Sequence, residues 1–268
     1  MAITKLTSKN NPLLKTIRLI SSDSRRAPKE TVVAEGIRVL EEVDYCRCKI
    51  EAVVISENFG SNAREAALLN SWIINNVNIS KIGENLFRSI SDVQSPQGAI
   101  ALVQIPERSL EKLSPEENPL ILYASDIQDP GNLGTIIRTA AAASASLICT
   151  STGTVSPKNR KCIRASAGAC FRFPIVEHTH LATFLDYCEF HKIKVYRTDA
   201  RNGLAYTEAD LASPCAIMLG NEGHGISDER GEKCQGIRIP MAEGIESLNV
   251  AMAAAIILFE ALRQRSGL

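Results

Sequence analysis

The chain has 268 residues, with 30 Lys and Arg against 30 Asp and Glu, 45% hydrophobic residues and 22% charged ones. That composition excludes a disordered tail protein and a fibrous one, and the length suffices for one large domain or two smaller ones. No apolar run approaches the roughly 20 residues of a membrane span. The longest, from Val250 to Phe259, stops at Glu260. The N-terminus MAITKLTSKNNPLLK has no continuous apolar region for export, so a cytoplasmic location and reduced thiols are expected.

Cys46 and Cys48 form a CxC, while Cys149, Cys162, Cys170, Cys188, Cys215 and Cys234 are scattered. No CxxC pair occurs, and His178, His180, His191 and His224 do not complete a zinc pattern. The HxH of His178 and His180 supplies only two ligands, so no metal is expected. Net charge is zero, yet it is unevenly spread. Residues 1–29 carry seven basic residues (Lys5, Lys9, Lys15, Arg18, Arg25, Arg26, Lys29) and one acidic one, Asp23. Residues 151–172 carry five (Lys158, Arg160, Lys161, Arg164, Arg172) and none acidic. Such patches can bind a polyanion or can be ordinary solvated faces.

In chain order, helical spacing is expected over Asn11 to Ile20, Ala34 to Val43 and Asn62 to Asn75. Strands are expected over Ile50 to Ile55 and Gly98 to Ile105. This first domain spans 1–106. The proline-rich polar stretch 107–118 follows as a linker, then a second domain over 119–268. In it, apolar runs at 120–125, 145–150, 192–198, 215–220 and 237–241 alternate with helical stretches at 133–143, 159–168, 181–191 and 248–265. The runs are too apolar to have a wet face, which argues for a parallel sheet covered on both sides.

In such a sheet the ligand-binding junctions lie at the carboxyl ends of strands, and three are unusual. In DIQDPGNLGTIIRTA (126–140) a glycine turn enters a helix carrying Arg138 in its second turn. It suits one phosphate with Arg138 as a second clamp, or it is a plain strand-to-helix turn. There is neither GxGxxG nor GxxxxGK[ST]. In IMLGNEGHGIS (217–227) three glycines in six residues can wrap a flat ligand beside the carboxylate of Glu222, and His224 reads as an exposed loop residue rather than a base. In IRIPMAEGIESLNVAMAAAIILFEALRQR (237–265) a long, alanine-narrowed helix opens at Ser247-Leu248-Asn249. Ser247 is its natural N-cap, and Asn249 sits less expectedly inside the first turn.

These three segments, in this order and spacing, resemble the SpoU (TrmH-like) family of S-adenosylmethionine-dependent RNA 2′-O-ribose methyltransferases in the SPOUT superfamily. NLGTIIRTA, MLGNEGHGIS and IPM…ESLNVAMAAAIILFEALRQR carry the resemblance across 119–268. Pro157-Lys158 and Arg164 to Ala169 are similar to the stretch between the first two motifs. Residues 8–43 are similar to the small substrate-binding domain of rRNA-directed members.

The resemblance implies a parallel-sheet α/β SPOUT domain with a C-terminal trefoil knot, preceded by a small α/β domain like ribosomal protein L30e. It also implies a homodimer and S-adenosylmethionine held by Leu219, Gly220, Asn221, Gly223, Ile239, Pro240, Met241, Ser247, Leu248 and Asn249. Arg138 matches the arginine that engages RNA. Asn132, Glu222, Ser247 and Asn249 match the polar positions around the reacting centre. Departures are confined to Asn221 and to the spacing between Lys158 and Arg164.

A ribose hydroxyl is a poor nucleophile, so the enzyme's task is alignment with water excluded. Arginine stays protonated in proteins. Arg138 is therefore expected to orient a phosphate and to stabilise a developing alkoxide. RNA contacts are expected from Lys9, Arg18, Arg25, Arg26, Lys158, Arg160, Lys161, Arg164 and Arg172. Large-subunit (23S) rRNA is favoured over tRNA because of the added N-terminal domain. The alternatives are a tRNA methyltransferase, a non-catalytic RNA-binding protein on the same fold, or a small-molecule enzyme on a nucleotide-binding sheet.

Overall fold

The computed structural model describes residues 3–22, 28, 30–105, 107–220, 230 and 234–267. Contacts divide the chain into two units, Met1–Glu107 with Lys158–Arg172, and Arg108–Pro157 with Phe173–Leu268. The break near 107 falls at the start of the expected linker. The segment 158–172, read with the second domain, packs instead with the first unit.

The first unit comprises β1 (Thr4–Leu6), α1 (Pro12–Ser21), β2 (Thr31–Glu35), α2 (Ile37–Tyr45), β3 (Ile50–Ser56), α3 (Ala63–Ile74), β4 (Ile79–Ile82), α4 (Glu84–Arg88) and β5 (Ala99–Gln104). Asn11 caps α1 by accepting from the Leu13 N–H, and Pro12 fills the first turn, where a missing N–H is harmless. The sheet runs β1-β4-β3-β5-β2, with β1, β4 and β3 parallel and β5 antiparallel to both neighbours. Leu14 and Ile17 of α1 share a core with Val33, Val54, Ile82, Phe87, Ile100 and Leu102. The helix expected from Ala34 starts later. Ala34 and Glu35 belong to β2, and Gly36, at φ 103°, turns the chain before α2. That conformation suits glycine because it has no Cβ.

The second unit contains β6 (Leu120–Ala124), α5 (Pro130–Ala142) and β7 (Leu147–Thr150). The chain next passes through α6 (Arg160–Ala165) in the first unit. It returns as β8 (Ile175–Val176), α7 (Leu181–Phe190), β9 (Lys194–Thr198), β10 (Leu204–Ala205), β11 (Cys215–Leu219), β12 (Gln235–Arg238) and α8 (Val250–Ser266). All seven strands pair in parallel in the order β10-β12-β9-β11-β6-β7-β8. Every residue of β6, β7 and β11 is buried, as a sheet covered on both faces requires. Ile121, Tyr123, Cys149, Phe184, Cys188 and Met218 form one side of that core. β12 ends at Arg238, which leaves Ile239-Pro240-Met241 in the following loop rather than in the strand. No helix among the described residues is long and apolar enough to cross a membrane. Among them, no cluster of three His, Cys, Asp or Glu could hold a metal ion.

Candidate active site at the strand ends

The central strands β6 and β11 end side by side, and the Ser125 N–H donates to the Leu219 carbonyl at 2.8 Å. The chain then turns through Asp126, at φ 53°, into α5. The glycine-containing segment expected to be a turn is the first turn of this helix. Asp129 is its N-cap, accepting from the Asn132 N–H at 2.9 Å. The Asp129 carboxylate takes one of the free N–H groups at this helix entrance, and its negative charge opposes an anion there, so the helix start itself weighs against a phosphate site. Sequence reasoning passed over Asp129, although an Asp directly before Pro at a helix start is a recognisable capping signal.

At the other end of the chain, Asn249 is the N-cap of α8. Its Oδ1 accepts from the N–H groups of Ala251 at 2.9 Å and Met252 at 3.3 Å. Ser247, expected to cap, lies two residues earlier in exposed loop backbone. The Asn249 side chain also donates from Nδ2 to Oδ1 of Asn132 at 3.1 Å. α5 packs along α8, so Asn132 of the first motif and Asn249 of the third meet at one point. Ala251 and Ala254 are buried, which accounts for the narrowness of the helix.

Of the expected catalytic residues, Asn132 and Asn249 are in contact, and Ser247 lies two residues before Asn249 in the exposed loop. Arg138 is exposed on α5. It is the ninth residue of α5 rather than a second-turn residue. At about 1.5 Å rise per residue it lies ~9 Å along the axis from Asn132. Glu222, Asn221 and Gly223 lie outside the described residues. Of the other expected cofactor contacts, Leu219 is buried at the end of β11 with Gly220 following it. Ile239 and Met241 are half-buried, while Pro240 and Leu248 are exposed. Leu219, Ile239 and Met241 supply apolar surface and Asn249 a hydrogen-bonding side chain, residue types that suit a nucleoside carrying an aliphatic sulfonium arm.

The expected RNA contacts fare unevenly. Lys9, Lys161 and Arg172 are exposed and Lys158 is half-buried, while Arg25 and Arg26 lie outside the described residues. Arg160 is overturned as an RNA contact. It is 7% exposed and its guanidinium binds Glu35, itself 2% exposed. It also reaches Ser21 Oγ at 2.5 Å and the Ile90 carbonyl at 3.3 Å. Arg164 is spent on Asp92 at 2.6 Å. Burial raises the Asp92 pKa, but the Arg164 and Arg160 guanidiniums outweigh it and hold the carboxyl below its usual range. Burial pushes Glu35 up, against the pull of Ser91 and Arg160. Arg18 donates to the Lys9 carbonyl at 2.8 Å and to Ser89 Oγ at 3.0 Å, which occupies much of its fork. A run of basic residues in sequence thus mixes structural cations with surface ones.

Comparison with known proteins bears on the same residues. The SpoU rRNA Methylase family profile matches residues 119–259, and the MRM3-like substrate binding domain matches residues 11–101. The 23S rRNA (guanosine(2553)-2′-O)-methyltransferase RlmP of Bacillus subtilis is 29% identical over 256 residues, covering 95% of this chain and 98% of that one. The 23S rRNA (guanosine-2′-O-)-methyltransferase RlmB of Haemophilus influenzae is 32% identical over 207 residues, covering 75% and 84%. The crystal structure of AdoMet bound rRNA methyltransferase from Sinorhizobium meliloti superposes with a TM-score of 0.86 at 27% identity, covering 97% of this chain and 98% of that one. With the SpoU profile spanning more than half its length, and Asn132 and Asn249 of two of the motifs in contact, the chain belongs to the SpoU rRNA Methylase family.

Proposed function

We propose that this protein is an S-adenosylmethionine-dependent methyltransferase that modifies a ribose 2′-hydroxyl of large-subunit rRNA, in the cytoplasm and as a homodimer. The observation that carries the reading is the 3.1 Å bond between Asn249 and Asn132, which unites two of the motifs shared with the family. The relatives named above are 23S rRNA 2′-O-methyltransferases, and a solved structure of similar fold is AdoMet-bound.

Bound S-adenosylmethionine supplies an electrophilic methyl group, so the chain's own work is positioning. In this reading Ile239, Met241 and Leu248 line the nucleoside, with Leu219 and Gly220 behind it. Asn249, fixed by its cap and by Asn132, holds the loop 239–249 against α5. Arg138 presents a permanent cation to the RNA, orients the phosphate beside the target ribose and stabilises negative charge growing on its oxygen. The hydroxyl proton leaves to phosphate or water, since a guanidinium cannot accept it.

The homodimer rests on an apolar stripe. Met252, Ile256 and Phe259 recur on one face of α8 and are 52%, 36% and 50% exposed. A stripe that a monomer leaves wet is material for an interface. A knotted C-terminal segment and an L30e-like first domain belong to the same reading, as the family resemblance implies.

The test is incubation with methyl-labelled S-adenosylmethionine and separated rRNA and tRNA from cells lacking the gene. Alkali-resistant label in rRNA supports the reading. Label only in tRNA redirects the substrate, and absence of both label and cofactor binding leaves an RNA-binding protein on a methylase fold.

A further inference from the structure

The first unit holds a group of cations that the ion-pair network around Glu35 and Asp92 does not use. Lys9 and Lys15 are exposed before and on α1, and Arg88 is exposed in the last turn of α4. Among the described residues none of the three has an ion-pair partner. They come from sequence positions as far apart as 9 and 88, yet one side chain joins their supports. Arg18 binds the carbonyl of Lys9 with one terminal nitrogen and the hydroxyl of Ser89, next to Arg88, with the other. The two acceptors therefore lie within the span of a single guanidinium. Ser89 is fixed in turn by donating to the Leu86 carbonyl at 2.7 Å.

We infer that Lys9, Lys15 and Arg88 form a phosphate-binding patch for the RNA substrate, with Arg18 as its positioning residue. This rests on the methyltransferase reading for the identity of the polyanion. Exposed cations whose backbone supports are linked through Arg18 attract phosphates without sequence preference, and a rigid support lowers the entropy lost on binding. Ser8 and Asn10, both exposed beside Lys9, add hydrogen-bonding groups of the kind that contact sugar and phosphate. The stretch matched to a substrate-binding domain, 11–101, contains Lys15, Arg18, Arg88 and Ser89. Arg18 is half-buried and bridged to protein acceptors, so its charge supports the patch while its fork is not free to grip a phosphate.

The experiment is equilibrium binding of the full chain to a labelled 23S rRNA transcript across a salt series, with thermal unfolding as the folding control. Arg88→Ala and Lys15→Ala are expected to weaken binding several-fold. Each should also make the plot of log affinity against log salt shallower by about 0.7–0.9. Arg18→Lys keeps the charge but cannot bridge both acceptors. It is expected to weaken binding, and to weaken it less in the Arg88→Ala background. Affinity and salt slope unchanged in Arg88→Ala and Lys15→Ala, with the wild type methylating rRNA, overturn the patch and leave the activity standing. A wild type that transfers no methyl group while its binding still depends on Arg88 and Lys15 does the reverse.

Discussion

The side chain of Asn249 serves two helices at once, capping α8 through Oδ1 and donating through Nδ2 to Oδ1 of Asn132 at 3.1 Å. The two functions can be separated. Asn249→Asp keeps an acceptor for the cap and gains from the helix dipole, but loses the donor. Its melting temperature is expected to stay near wild type while methyl transfer drops at least tenfold. Asn249→Ala loses both, and thermal unfolding should show a further destabilisation of about 1 kcal/mol from the missing cap. Full turnover in Asn249→Asp would restrict the residue to capping.

Arg138 stands well away from the capped N-terminus of α5 and is exposed. If its planar fork orients a phosphate, lysine cannot replace it even though the charge is conserved. Arg138→Lys is expected to lower kcat/KM on rRNA by about 2–3 kcal/mol of transition-state stabilisation, the scale of a lost charge-assisted hydrogen bond. Cofactor affinity, measured by calorimetry, should not change. Near-normal turnover would remove the guanidinium from the chemistry.

Much of the second domain was legible because its strands are buried on both faces. LILYA and CAIML read as core strands from composition alone, and they are the two central ones. The active-site loops were legible only through the resemblance, since glycine turns by themselves admit several uses. Two features escaped for local reasons. Asn and Ser are near-equal N-caps, so Ser247 and Asn249 could not be ranked without the backbone. Pro130 and two glycines looked like a turn, but Asp129 and a proline at N1 start a helix as readily. The placement of 158–172 escaped for a tertiary reason, because the partner carboxylates Glu35 and Asp92 are far away in sequence.

That placement makes Arg160 a stability residue. Arg160→Ala strands Glu35 at 2% exposure without its cation. Breaking such a buried pair from one side is expected to destabilise the protein by about 3–5 kcal/mol in denaturant titration. Adding Glu35→Gln should recover part of the loss, because the orphaned charge is gone. Lys161→Ala, on the exposed side of the same helix, should leave stability within about 0.5 kcal/mol of wild type. Equal stability of Arg160→Ala and wild type would make the pair dispensable.

The same logic, with the opposite exposure to pH, applies at the far end of α8. Glu260 accepts from Arg263 at 2.8 Å through both carboxylate oxygens and from Gln264 at 2.9 Å. The Arg263 bonds, followed by the Gln264 bond, hold its carboxyl at about 2 against burial, down from an ordinary 4.5. Because the folded value is the lower one, the contribution is complete above about 4.5 and is lost as pH falls towards 2. Gln264 also donates to the Ala209 carbonyl, and Arg265 holds the carbonyls of Asn118, Leu211 and Ser213, so this turn ties α8 to the sheet. In Glu260→Gln the stability deficit relative to wild type should therefore be largest near pH 6 and shrink steadily between pH 4.5 and 2. A deficit that stays constant across that window in acid-unfolding titrations would show that the carboxylate charge contributes nothing, and that only the shape of the side chain matters there.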